Sequence, residues 1–203
     1  MKKKYNPDET KLNILSASFT CFEKYGFKKT NISLISKESN VSIGSIYHHY
    51  SNKESLYYEL YNMYLEEMLF SIHKNIHTLE NPKTFIQKFC TSYLEWVEQN
   101  QLKSKFIYWG AISEIDFTEN RTSNFDKTPY LNDIASKIMS FSKKNLIENF
   151  PINIYEVVIV APLSEYSRRF LTNPVAYPMN TAIKILPNVV WGTIVKKRIQ
   201  RSL

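Results

Sequence analysis

Only 4 of the 203 residues are glycine, and neither Asn-Gly nor Asp-Gly occurs, so the chain lacks the residues that form the tightest β-hairpin turns. Cysteine is equally scarce. Cys21 and Cys90 stand far apart without metal-type spacing, which excludes a disulfide framework or zinc ribbon and predicts free thiols in a reducing compartment. Long apolar runs are missing too: the strongest, 157–163, includes Pro162 and falls far short of the roughly 20 residues a membrane span needs. The basic tip Lys2-Lys3-Lys4 leads into Asn6-Pro7-Asp8-Glu9 with no apolar segment, so no secretory signal is read there. A cytoplasmic, nucleoid-associated location with no membrane partner is expected. There is no glycine-rich phosphate loop, no Ser/His/Asp set in a supporting motif and no di-iron Glu-x-x-His pair. Catalytic residues, cofactor and metal are therefore all expected to be none, and the chain is read as not an enzyme.

Acidic residues are locally absent as well. No Asp or Glu occurs between Glu38 and Glu54, while the whole chain carries a net charge of +7 and a pI near 9.2. That balance favours a polyanionic partner, and further basic residues cluster at Lys196, Lys197, Arg198 and Arg201. With 43% hydrophobic and 14% aromatic residues, the chain can bury a substantial core.

What is present recurs at helical spacing, so an all-α protein of about nine helices is expected. The first helix is read with Asn6 as cap, Pro7 at its first position, Leu12, Leu15, Phe19 and Phe22 on one face, and Gly26 as its end. A short second helix fits 31–38, capped by Thr30 or Asn31, with Ile32 and Ile35 inward and Asn40 as left-handed terminator. A tight turn then leads to a third, with Ser42 as N-cap and Ile43 first. Together these form a helix-turn-helix with a supporting first helix. A long fourth helix over 52–76 starts at a Ser51/Glu54 capping box, with Leu56, Leu60 and Met63 facing inward. Further helices fit 83–99, 102–115, 130–149, 153–171 and 181–201, with a polar loop over 117–129 and kinks at Pro162 and Pro187. The domain boundaries drawn are 6–66 for a helix-turn-helix unit, its motif over 31–50, and 67–203 for a larger C-terminal helical domain.

Two residues in the acid-free stretch stand out. Gly44 inside a helix is about 1 kcal/mol less favourable than Ala, so close approach of a partner to that backbone is the reason to keep it. Lys53 in a helix's first turn opposes the helix dipole, yet lysine and helix N-terminus together attract a phosphate. Tyr47, His48 and His49 add donors that reach phosphates and base edges.

Phe22, Gly26, Thr30, Ile35, Val41, Ser42, Gly44, Tyr47, His49, Lys53 and Leu56 agree in order and spacing with one pattern. On them, 14–61 resembles the DNA-binding domain of TetR-family transcriptional regulators. The resemblance implies DNA contacts at Thr30, Ser42, Ile43, Gly44, Ser45, Tyr47, His48, His49 and Lys53. Tyr47, His49 and Lys53 would meet phosphates, and Ile43, Ser45 and His48 would face bases or groove wall. It further implies a repressor acting as a homodimer on near-palindromic operator DNA and released by a small effector. Asn40 stands where the family usually has glycine, Tyr50 where Phe is more common, and Ile43 where a polar or basic residue is common, which suits an apolar contact to a thymine methyl.

Beyond residue 64 the resemblance is architectural. Aromatic residues crowd 85–117, and Tyr93, Trp96, Phe106, Trp109, Glu114 and Phe117 are candidates for a pocket that accepts a hydrophobic or aromatic effector. Ile159, Leu163, Tyr166 and Phe170, with Ile183, Leu186, Val190 and Ile194, form two stripes that either complete the core of one chain or make a four-helix dimer interface. His73 and His77 share a helix face at a spacing that can hold a metal, but no third ligand accompanies them. The alternatives are a DNA-binding protein of the same build with no small ligand, serving a nucleoid or partner-recruiting role, and a small helical enzyme.

Overall fold

The computed structural model describes residues 7–109 and 129–196. Among them secondary structure is helical: α1 Pro7–Lys29, α2 Ile32–Ser39, α3 Ile43–His49, α4 Lys53–Ile76, α5 Pro82–Gln99, α6 Gln101–Trp109, α7 Pro129–Lys143, α8 Ile152–Tyr155, α9 Ala161–Thr172 and α10 Met179–Ile194. A π-helical turn, Glu156–Val160, joins α8 to α9. The one β feature among the described residues is an isolated antiparallel bridge between Ile147 and Val195. No described helix is long and apolar enough to cross a membrane. Asn6, Glu114, Phe117, residues 117–128 of the expected loop and the basic residues at both ends, Lys196 excepted, lie outside the described residues.

The chain divides into two compact units, one from Met1–Leu65 and Phe106–Arg121, the other from Glu66–Lys105 and Thr122–Leu203. In the first, α1 packs on α2 and α2 on α3. The helical path of α1 breaks at Gly26, whose φ of 76° lies in the left-handed region, which glycine enters without a Cβ penalty. Ile14, Phe22, Ile35, Ile46, Leu56 and Leu60 form the core. Leu12 and Met63, read as inward, are 61% and 37% exposed: each lies just off the stripe that its helix turns inward.

In the second unit α10 packs along α5. Both cysteines are free and buried, and burial pushes the Cys90 thiol up to about 12. α7 stops at Lys143, six residues before the expected 149, because Asn145 turns left-handed with φ 56°. The Leu146 N–H then donates to the Phe141 carbonyl at 3.0 Å and the Asn145 N–H to the Ser142 carbonyl at 2.8 Å, an end in which asparagine replaces the usual glycine. α10 likewise stops at Ile194, since Val195 is extended and the Glu148 N–H takes the Ile194 carbonyl at 2.8 Å. Pro162 lies within the continuous helical run 152–172, close to where the helix type changes. It sits in the first turn of α9, preceded by the π-helical turn, so its missing N–H coincides with a change of helix type. Pro187 lies within α10, which runs on through it as one helical span.

Candidate nucleic-acid interface

The α2-turn-α3 segment is fixed by its own polar side chains. Asn31 Oδ1 accepts the Leu34 N–H at 2.9 Å and so caps α2. Asn40 then reverses the chain at φ 54°, and Ser36 Oγ donates to the Val41 carbonyl at 2.6 Å across the turn. Ser42 caps α3 by accepting the Ser45 N–H at 3.2 Å. Ile46, fully buried, anchors α3 on its inner side. That anchoring turns Ile43 (43% exposed), Gly44, Tyr47 (53% exposed) and His48 to the outside, with Ser45 and His49 half-buried.

A Cβ built on Gly44 meets nothing within 4 Å. Packing inside the chain therefore does not require glycine there. The His48 and His49 rings meet edge to face at 5.5 Å. Tyr50 closes α3, its N–H on the Ile46 carbonyl at 2.9 Å, and burial pushes its phenol well above the usual range, with Glu59 adding to the shift.

Two expectations are corrected here. Thr30 is 1% exposed, and its hydroxyl donates within the fold toward the carbonyls of Cys21, at 3.0 Å, and Gly26, at 2.8 Å. It secures the end of α1 and does not face DNA. The cap of α4 is Asn52, not Ser51: Asn52 Oδ1 accepts the Ser55 N–H at 2.7 Å and Ser55 Oγ donates to the Asn52 carbonyl at 2.8 Å. Asn52-x-x-Ser55 carries the cap spacing one residue later than Ser51-x-x-Glu54. Lys53 is held against the end of α1. Its Nζ donates to the Phe27 carbonyl at 2.8 Å and lies 4.2 Å from the centroid of the Phe27 ring.

A left-handed Asn between two capped short helices, with an acid-free outer face on the second, is the geometry of a DNA-reading helix-turn-helix. Residues 14–60 match the profile of the bacterial regulatory proteins of the tetR family. This segment of the chain is thus a DNA-binding domain of the tetR type. Over 61 residues it is 41% identical to the HTH-type transcriptional regulator YhgD of Bacillus subtilis, covering 30% of this chain and 31% of that one. Over 52 residues it is 36% identical to the HTH-type transcriptional repressor AcnR of Corynebacterium jeikeium, covering 26% and 28%. The matches thus span less than a third of these relatives. Solved structures share the fold over nearly the whole length. A TetR family transcription regulator from Marinobacter aquaeolei superposes with a TM-score of 0.76 at 14% identity, covering 94% of this chain and 97% of that one. FadR from Bacillus subtilis, solved with stearoyl-CoA, gives 0.74 at 14%, covering 88% and 96%.

Outside the helix-turn-helix the expected site residues fall into different places. Tyr93 and Trp96 are each 4% exposed on α5, in the second unit. Phe106 belongs to the first unit, its ring stacked on Tyr57 at 4.5 Å and set among Phe19, Phe22 and Tyr64. Phe106 is therefore removed from the pocket candidates: ring packing inside the first unit accounts for it. The side chain of Trp109, with Glu114 and Phe117, lies outside the described residues.

Of the two stripes expected at a dimer interface, Ile159, Leu163, Phe170, Val190 and Ile194 are at most 5% exposed within the single chain. They complete its own core. Tyr166, Ile183 and Leu186 are half-buried, and the Tyr166 hydroxyl donates to the Pro178 carbonyl at 3.0 Å. The apolar residues left outside on these elements include Val157 (60%), Ile185 (53%) and Val189 (53%). The outer side of α10 mixes these apolar residues with polar ones, Lys184 and Asn188 among them, so its sequence does not mark Ile185 and Val189 as exposed. Among the described residues no cluster of three or more His, Cys, Asp or Glu could hold a metal. His73 Nε2 instead lies 3.3 Å from Asp133 Oδ2, and His77 stacks on the His73 ring at 5.2 Å.

Proposed function

We propose that this protein is a transcriptional repressor that binds a near-palindromic double-stranded operator as a homodimer and is released by a small hydrophobic effector. The observation that carries the reading is α3: an acid-free helix, anchored by Ile46 alone, that holds Ile43, Tyr47 and His48 outward around an unobstructed Gly44 backbone. Tyr47, His49 and Lys53 contact phosphates. Ile43, Ser45 and His48 face base edges in the major groove, and the chain's backbone comes nearest the DNA at Gly44. Ser42 contributes through its hydroxyl at the start of the same helix.

Dimerisation is assigned to the outer faces of the last helices. Ile185 and Val189 lie four residues apart, hence on one side of α10, and both are half exposed. The effector belongs to the second unit, with Tyr93 and Trp96 as its nearest candidates. FadR, of the same fold, is solved with stearoyl-CoA, which makes a long-chain acyl thioester the first compound to try.

Selection of genomic fragments by the purified full chain tests this reading. Enriched sites should be near-palindromic, with half-site centres about 34–36 Å apart or a multiple of that. Deleting the gene should raise transcription beside those sites. Recovery of fragments without a shared motif would falsify the sequence-specific reading.

A further inference from the structure

We infer that Phe106 and Tyr57 are positioning residues for the Lys53 phosphate contact: Phe106 braces Tyr57, Tyr57 braces Phe27, and Phe27 seats the Lys53 ammonium. The inference rests on the DNA-binding reading above and extends it to residues with no place in the helix-turn-helix.

Each link is a contact inside the first unit. The Phe106 and Tyr57 rings stack at 4.5 Å with 28° between their planes, and the Tyr57 hydroxyl donates to the Phe106 carbonyl at 3.2 Å. Tyr57 is 1% exposed and sets its ring edge to face against Phe27 at 5.5 Å. Phe27 lies 4.2 Å beneath the Lys53 ammonium and accepts its hydrogen bond at 2.8 Å. The series runs from the last turn of α6 to the first turn of α4. Phe106 enters a unit whose described N-terminal portion ends at Leu65.

An ammonium has three donors, and the Phe27 carbonyl takes one. With the ring face beside it as well, the ammonium still has donor capacity for a phosphate oxygen. Fixing a lysine normally removes rotamer freedom at the moment of binding; here much of that loss is incurred on folding, so the charge is already in place when DNA arrives. The attraction of the cation to the ring face depends on where that ring lies, and Tyr57 holds it. Displacing Phe106 should therefore weaken a contact made at the far end of the series.

The test is a double-mutant cycle in the full-length protein, read by binding to a duplex selected by wild type and to a random duplex across a salt series. Lys53→Ala should weaken both and lower the salt slope by about one phosphate. Phe106→Leu, which keeps an apolar side chain but removes the stack, should weaken both duplexes about three- to tenfold with base preference unchanged. The Lys53→Ala, Phe106→Leu double variant should bind no worse than Lys53→Ala alone, because the two act on one contact. Phe27→Leu, which keeps the carbonyl acceptor and removes only the half-buried ring, repeats the cycle should Phe106→Leu not fold. Wild-type affinity in the Phe106 or Phe27 variants, or effects that add fully to that of Lys53→Ala, would overturn the relay while leaving DNA binding intact. A wild-type protein that binds neither duplex would overturn both.

Discussion

α3 and α10 are both amphipathic by position, yet they are read from sequence with very different success. In α3 one apolar residue, Ile46, goes inside, and the others share their side with Gly44, Ser45 and His48. In α10 apolar residues also stand on the outer side, among Lys184, Asn188 and Thr193. Ala182, Val190 and Ile194 are buried, whereas Ile185 and Val189 are each 53% exposed. The hydrophobic effect fixes an orientation only when the two sides of a helix differ. Where apolar residues stand on both, packing against α5 decides which of them are covered, and that packing is not written in α10 itself. The contrast can be tested with one residue type in one helix. Ile194→Ala should cost about 2–5 kcal/mol of stability, by lost burial and a residual cavity. Ile185→Ala should change the single chain by no more than about 0.5 kcal/mol while weakening self-association, seen by analytical ultracentrifugation. Equal losses from both, independent of protein concentration, would break the distinction.

A second pair of sites sharpens it. Asn40 and Asn145 are the two described non-glycine residues with positive φ, at 54° and 56°, and each ends a helix. Replacing either by Ala should cost about 1–2 kcal/mol, because Cβ crowds the following carbonyl in the left-handed region and Ala has no side chain to compensate. Glycine should be tolerated at both. Asn40 is legible because a short helix, a turn and a new cap follow within three residues. Asn145 is not, since Leu146, Ile147 and Phe150 continue an apolar rhythm beyond it. An Asn40→Ala protein as stable as wild type in urea would remove the physical reason for reading a turn there.

The first unit is largely legible for the same local reasons. Asn31, Asn40, Ser42 and Gly26 each perform the backbone role their chemistry predicts, and the exposed side of α3 follows from them. What escapes a reading of the sequence there depends on long-range contacts. Thr30 is drawn inward by carbonyls of α1, Lys53 by Phe27, and Phe106 comes from far along the chain. No periodicity within a helix announces such partners. In the second unit, the buried members of the expected interface are apolar as read, but their neighbours belong to the same chain. The cap of α4 lies between these cases, misplaced by one residue among two candidate pairs. Asn52→Ala should cost about 1 kcal/mol, and Ser51→Ala should stay within about 0.5 kcal/mol. Thermal melts showing the reverse order would restore the Ser51 cap.

The smallest change in stability carries the most information about α3. Gly44 is helical and exposed, and a Cβ added there has no neighbour within 4 Å, so Gly44→Ala should stabilise the protein by up to about 1 kcal/mol through its higher helix propensity. Most substitutions at binding surfaces leave stability and affinity either both unchanged or both reduced. Here they should move in opposite directions: a higher denaturation midpoint together with weaker binding to the selected duplex, because the added methyl occupies the space where a groove wall or phosphate approaches. A stabilised protein with unchanged affinity would mean that nothing comes close to that backbone, and the docking of α3 would have to be turned about its axis. A destabilised one would mean that the helix is strained at Gly44 by something other than its own neighbours.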